Sequence, residues 1–466
     1  MSKTYYIRPS GNDNHTGTSP QTAWKSIEKV NQTRLNPGDS ILFEGGKTFF
    51  GNLIIGDYGH QLEKAPVYIG SFGKQKAIIR AGKGNGIYVF NTGGIHIEDL
   101  EIRGDGREKN LQHGIIFYRN ADDGQRLQNF ALNKLDITGF NKGGITFYSD
   151  ESKVDHGFSD IRLFQIHTHH NGDHGVAFSG KVRTEGHVHK NVYISHVKAF
   201  HNYGEIGKTQ SHTGNGIVVG NTDSVLIEFC EAYENGKDNS FHGGGPVGIW
   251  LWDCNQSIIQ FSESHHNHTN SKTDGGGFDL DGGCTNCSLQ YNYSHNNDGA
   301  GYLIAEYSGA RPLINNEIHH NISVNDGLKN NYGGVFLWRG QGILSDLKVY
   351  DNFVYSAGKS TGFKIVSDSI RNISVENNFF ISDGKADLVG ISDTTQNLNF
   401  ADNLFHSLSG KYNYADLGKS YSTIEKWIEK GQIISSPGKE FQAEELKTWT
   451  NQILDEEFGR SLLTLM

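Results

Sequence analysis

Gly86-Ile87-Tyr88-Val89-Phe90, Gly114-Ile115-Ile116-Phe117-Tyr118 and Gly144-Ile145-Thr146-Phe147-Tyr148 are three copies of one phrase. In each, a glycine is followed by alternating constrained and free positions. The phrase returns at Gly175, Gly216, Gly248, Gly277, Gly301, Gly334 and Gly362, 24 to 41 residues apart. The first and third residues after every glycine are apolar or aromatic, while the second and fourth vary freely. Side chains alternate faces along a strand, so the constrained pair points into a core and the free pair points out. A unit this short cannot bury its own apolar face and must stack on its neighbours. The prediction is an all-β solenoid of parallel coils, with function written on its outward column.

A second strand follows each glycine phrase, with an inward column read as Leu100, Phe164, Val197, Cys230, Ser262, Asn292, Asn316, Leu347, Ile373 and Leu398. Asparagines follow at 171, 202, 235, 267, 297, 321, 352, 378 and 403, read as one ladder of nine at a left-handed turn. Residues 1–80 read as a cap with the first irregular coils, 81–410 as the β-helix and 411–466 as a short helical C-terminal tail. Within these, Ala23 to Asn31, Ser422 to Gly431 and Glu444 to Leu454 carry helical patterns. The cap phrase Tyr5-Tyr6-Ile7-Arg8-Pro9-Ser10-Gly11-Asn12-Asp13, followed by Trp24-Lys25-Ser26-Ile27 and then the coils, resembles the right-handed parallel β-helix proteins of the pectate-lyase-like superfamily. That resemblance implies the fold across roughly residues 4–409. It implies a carbohydrate-active protein without choosing among hydrolases, lyases, epimerases and tailspikes.

The chain carries 42 basic and 52 acidic residues, a formal charge of −10, with no basic run. This argues against nucleic acid and anionic membrane surfaces as partners. No segment has the apolar length of a membrane span. Met1 to Tyr6 is no signal peptide, yet an extracellular or periplasmic setting is the expectation for a glycan-degrading protein, with a cytoplasmic one left open. Cys230 reads as core. Cys254, Cys284 and Cys287 sit in turns and lack a complete zinc ligand set.

The outward column concentrates on a few coils. Trp250 and Trp252 lie below Asp279 and Asp281, Glu306 is one coil further, and Trp338-Arg339 is beyond that. Aromatic faces with carboxylates between them suit a saccharide cleft. Trp250, Trp252 and Trp338 are therefore candidate sugar platforms. Asp253, Asp274, His242, Arg339 and Lys364 are candidate substrate contacts. Asp281 reads as nucleophile and Glu306 as acid/base, about 5 Å apart by coil spacing, with Asp279 tuning them, which fits a retaining glycosidase. Asp279 with Asp281, roughly 7 Å apart along a strand, would fit an inverting one. The glycines after Asp281 read as leaving it open to a ligand.

The same hard oxygen ligands would suit Ca²⁺ or a capped turn, though no cofactor is required. A lyase or uronan epimerase using Arg339 and Lys364 is an alternative, as is a non-catalytic tailspike-like glycan binder. A third possibility is that long loops cover the tryptophans and make the outward rows a second core.

Overall fold

The glycine phrases are strands, and they pair in parallel as their alternation predicts. A computed structural model describes residues 2–121, 123–150, 156–181, 185–430 and 437–440. Strands account for 51% of the chain and helices for 3%, so the fold is all-β. The chain divides into two compact units, Met1–Glu205 with Thr213–Val225, and Ile206–His212 with Leu226–Met466. Each is a parallel β-solenoid. Among the described residues no helix is long and apolar enough to cross a membrane.

In the first unit the inward positions register without slip: Ile87, Ile115, Ile145, Val176 and Ile217 lie one above another. The next inward file includes Phe117, Phe147 and Phe178, whose rings stack at 4.2 and 4.7 Å and are fully buried. Coil pairing begins at Thr4–Ile7, which runs parallel to Ser40–Glu44. The cap phrase folds as one piece. Asp13 accepts the backbone N–H of Lys25 and Ser26 and the Ser26 hydroxyl, and Trp24 stacks on Tyr5 at 4.5 Å. The predicted helix is shorter than its pattern. It runs Ile27–Asn31 behind the Ser26 N-cap, because Trp24 is held extended in a bridge to Ile7.

In the second unit Ile249, Phe278, Tyr302, Val335, Phe363, Val389 and Tyr414 form the inward file. Beyond it, Tyr414–Asp416 and Lys419–Tyr421 form an antiparallel pair. Helix Ile424–Lys430 then buries Trp427, which stacks on Tyr414 at 4.9 Å and donates to Asp416 at 3.2 Å. A strand at Gly438–Glu440 pairs in parallel with Asn403–Ser407. The helix predicted at Glu444 to Leu454 lies outside the described residues.

Two details of the predicted coil differ. Phe164 is 36% exposed, and Ile166 is the buried residue in register with Val197. The asparagines do not form one ladder of nine. Asn235, Asn267 and Asn297 bond in series after the third strand of each coil, and the series passes to Asp326. A separate series, Asn292, Asn321, Asn352, Asn378 and Asn403, precedes that strand. Both turns have the same geometry. The left-handed residue is the one before the amide, as at His266 (φ 50°), His320 (φ 55°) and Asn377 (φ 54°). The asparagine itself is buried, with its side chain satisfying backbone groups of neighbouring coils.

Asn321 illustrates the energetics. Its Oδ1 accepts the N–H of Asn292 at 3.0 Å, and its Nδ2 donates to the Leu289 carbonyl at 2.8 Å. Removing that amide leaves both backbone groups buried and unpaired, at about 1–3 kcal/mol each. Asn321→Ala is expected to destabilise the fold by about 2–4 kcal/mol in denaturant titration. Asn325→Ala, at a half-exposed turn position, should cost under about 1 kcal/mol.

Candidate functional site

The site lies within the second unit, on four consecutive glycine strands: Val247–Trp252, Gly276–Asp281, Tyr302–Glu306 and Gly333–Arg339. Strand register sets Trp250 against Asp279, and Trp252 against Asp281, Ala305 and Trp338 in one file. Glu306 registers with Arg339.

Asp281 is half-buried, and its Oδ1 accepts the Gly282 N–H at 2.8 Å. Burial pushes its carboxyl up to about 7, and the charges of Asp274 and Glu306 add to the rise. Asp274 is also half-buried, at a left-handed position (φ 50°) where the preceding loop meets the strand. Its Oδ2 accepts the Gly245 N–H at 2.6 Å, and Tyr332 bonds to its side chain. Burial raises its pKa despite these bonds. Asp279 is only 3% exposed, and its Oδ1 has no hydrogen-bond partner among the described residues. Burial, then the charges of Asp281 and Asp274, hold it well above the usual carboxylate range. Asp279 therefore favours its protonated form more strongly than an ordinary carboxylate does.

Glu306 departs from its predicted role. It is fully buried, with Oε2 accepting the Gly342 N–H at 2.7 Å. A Cβ at Gly342 would come 2.2 Å from Glu306 Oε1, so the loop closes directly over the carboxylate. The glycines after Asp281 also serve a different end. A Cβ at Gly282 would lie 2.4 Å from the Ala310 side chain and 2.8 Å from the Tyr307 ring. They admit the following loop closely against the strand instead of holding it open.

The remaining candidates separate by environment. Trp338 is 38% exposed and Trp252 is half-buried, as sugar platforms require. Trp250 is covered, with the His212 ring 5.5 Å away. Leu303, Ala305 and Phe336 form a small outer core with Ala300. The second-core reading thus holds for part of the outward surface. Asp253 is buried in an ion pair with Arg311. Arg339 faces Asp368 at 3.7 Å, and Lys364 donates to the Asn331 carbonyl at 2.6 Å. His242 is exposed on its loop. All four cysteines are free thiols and buried.

Tyr332 emerges as a site residue. Its ring stacks on Phe336 at 4.5 Å, and its hydroxyl accepts the Asp274 backbone N–H at 3.3 Å. Asn330 from the same loop donates to the Asp274 carbonyl at 3.0 Å. Tyr332 lies in the loop that leads into the Gly333–Arg339 strand. Its partnership with Asp274 depends on loop closure across 58 residues, for which the strand alternation carries no signal.

No family model matches the chain. It is 25% identical over 478 residues to lacto-N-biosidase of Bifidobacterium longum subsp. longum. That match covers 81% of this chain and 29% of the relative, so the chain spans less than a third of that protein's length. Two crystal structures of GH136 lacto-N-biosidase from Eubacterium ramulus are similar at 21% identity. The selenomethionine derivative has a TM-score of 0.62 over 81% of this chain and 67% of the other. The native protein has a TM-score of 0.60 over 80% and 68%. At this identity the structural likeness establishes a shared fold, that of the β-helix carbohydrate-active proteins which the cap and coil phrases resemble.

Proposed function

We propose that this chain is a glycoside hydrolase in which Asp274 and Asp281 carry the reaction. The observation behind this reading is that two half-buried carboxyls, Asp274 and Asp281, share the outer face, with the charge of Asp274 acting on Asp281, beside the partly exposed Trp252 and Trp338. Glycoside hydrolysis needs one carboxyl protonated, to donate to the leaving oxygen, and one ionised, to attack the anomeric carbon or activate water. Two acids in one field give up their protons in separate steps, so one of each form coexists near neutrality. Burial of Asp279 favours its protonated form, which would add no charge to the pair.

The reaction uses carboxyls and water alone. Kinship with a lacto-N-biosidase makes an oligosaccharide the proposed substrate, with lacto-N-biosidase substrates the first to assay. An extracellular or periplasmic setting fits such a substrate. The lyase and epimerase alternative is weakened because Arg339 and Lys364 are engaged with Asp368 and Asn331.

Asp281→Asn and Asp274→Asn should each lower kcat at least about a thousandfold while leaving far-UV circular dichroism unchanged. Full turnover in either variant removes that residue from the reaction, and product anomers followed by NMR report whether water or a carboxylate attacks. Glu306→Gln should mainly lower Tm. The acid must hold its proton, so activity should fall as pH rises through about 7. Asp274→Asn should bring the Asp281 titration down towards the ordinary carboxylate range, read by carboxyl ¹³C NMR, because one raising charge is gone. Trp338→Ala should raise KM more than it changes kcat.

A further inference from the structure

We propose that His265, His266 and His295 form a binding site for a divalent transition-metal ion of the zinc class, on the strand layer away from the glycine face. One nitrogen from each ring can be chosen so that all three lie within 4.8 Å of one another. His265 and His295 occupy the same position of successive coils, and their rings are parallel at 4.7 Å. His266 stands perpendicular to both, at the left-handed turn that ends the strand. His265 Nδ1 and His266 Nδ1 are 2.9 Å apart.

The adjacent-histidine contact alone is a property of this turn. It recurs at His169–His170 and at His319–His320, with the Nδ1 atoms 2.8 and 2.9 Å apart. His169 also has a carboxylate behind it, Asp136 at 3.3 Å, and what sets the 265–266–295 cluster apart is a third ring whose nitrogen falls within 4.8 Å of the other two, with a carboxylate behind each stacked ring. His265 Nε2 faces Glu231 at 3.4 Å, and His295 Nε2 faces Glu263 at 3.0 Å. A neutral imidazole that donates its Nε2 proton to a carboxylate presents a lone pair at Nδ1. Carboxylate-backed histidine of this kind is the usual surrounding of a metal-bound imidazole. The His265 lone pair faces His266.

Tetrahedral zinc holds its nitrogens roughly 3.3 Å apart. The separations here bracket that value, so tilting the stacked rings towards His266 completes a three-nitrogen set. Asn296 Nδ2 donates to His295 Nδ1 at 3.2 Å, a bond the ion would displace, and Asn296 Oδ1 accepts from Asn325. The fourth position therefore falls to water on the half-exposed side of His266. Imidazole donors select zinc, copper or nickel over calcium or magnesium. Such an ion would link two coils and stabilise their stacking.

The test uses the full chain, treated with chelator, desalted and titrated with Zn²⁺ by calorimetry and with Co²⁺ by visible absorption. One equivalent should bind, Co²⁺ should show the intense d–d bands of a tetrahedral site, and Zn²⁺ should raise Tm. His266→Asn keeps a residue tolerant of the left-handed turn and should weaken binding at least about tenfold. Glu263→Gln removes no ligand and should also weaken it about tenfold. His320→Asn, at the equivalent turn lacking this third ring, should leave affinity and stoichiometry unchanged. The proposal is overturned if the unmutated chain takes up neither ion, if His266→Asn binds as tightly, or if His320→Asn loses the ion equally.

Discussion

Each coil of this protein is unable to complete itself. Its inward apolar file and the polar groups at its turns find partners only in the coils above and below, roughly 4.8 Å away. The rest of the structure follows from that requirement. It fixes the strand register and repeats the same side chain in vertical files, so Phe117, Phe147 and Phe178 stack face to face. It also buries asparagines at both turns of the coil, where an amide can give and take bonds in the stacking direction. A stack fixed in this way gives the outward positions a defined geometry without needing them for stability. That freedom is what lets tryptophan and aspartate gather on four neighbouring strands.

The site draws its chemistry from partial enclosure. Asp279 is sealed in, Asp281 and Asp274 are half open, and Glu306 is closed over by a glycine turn. Four carboxyls within two successive coils would repel strongly if all were ionised. The enclosure resolves this by favouring the protonated form of the deepest acid and leaving the charge to those in contact with water. Tyr332 joins two parts of this arrangement. It covers Phe336 with its ring and restrains Asp274 with its hydroxyl, so the outer core and the Asp274 carboxyl are coupled through one side chain.

The sequence makes the solenoid plain because strand alternation and glycine spacing are local patterns, and local patterns survive folding. The files of Trp252, Asp281, Ala305 and Trp338 were readable for the same reason. Errors arose where direction depends on something beyond the strand. Glu306 follows the last alternating position, and its enclosure is set by Gly342, 36 residues away. The ladder was misread because both turns of a coil place an asparagine after a left-handed residue, and counting five residues onward does not distinguish them. Phe164 was placed inward because the left-handed residue after it, Gln165 (φ 54°), shifts the alternation. The Gly245 and Tyr332 partners of Asp274 are not legible in the sequence, because both come from loops distant in the chain.

Asp326 takes the place of an amide at the end of one ladder. It accepts from the Asn297 backbone and side chain and from Ser323, but an ionised carboxylate has no hydrogen to pass on. Burial lifts it to about 6 even so. An acid with its folded pKa above its unfolded one binds extra protons in the native state between those two values. Stability from this rung is therefore greatest in mild acid and declines as pH rises through about 6. The spine of the solenoid thus contains one rung whose strength depends on the acidity of its surroundings, in a column otherwise indifferent to it.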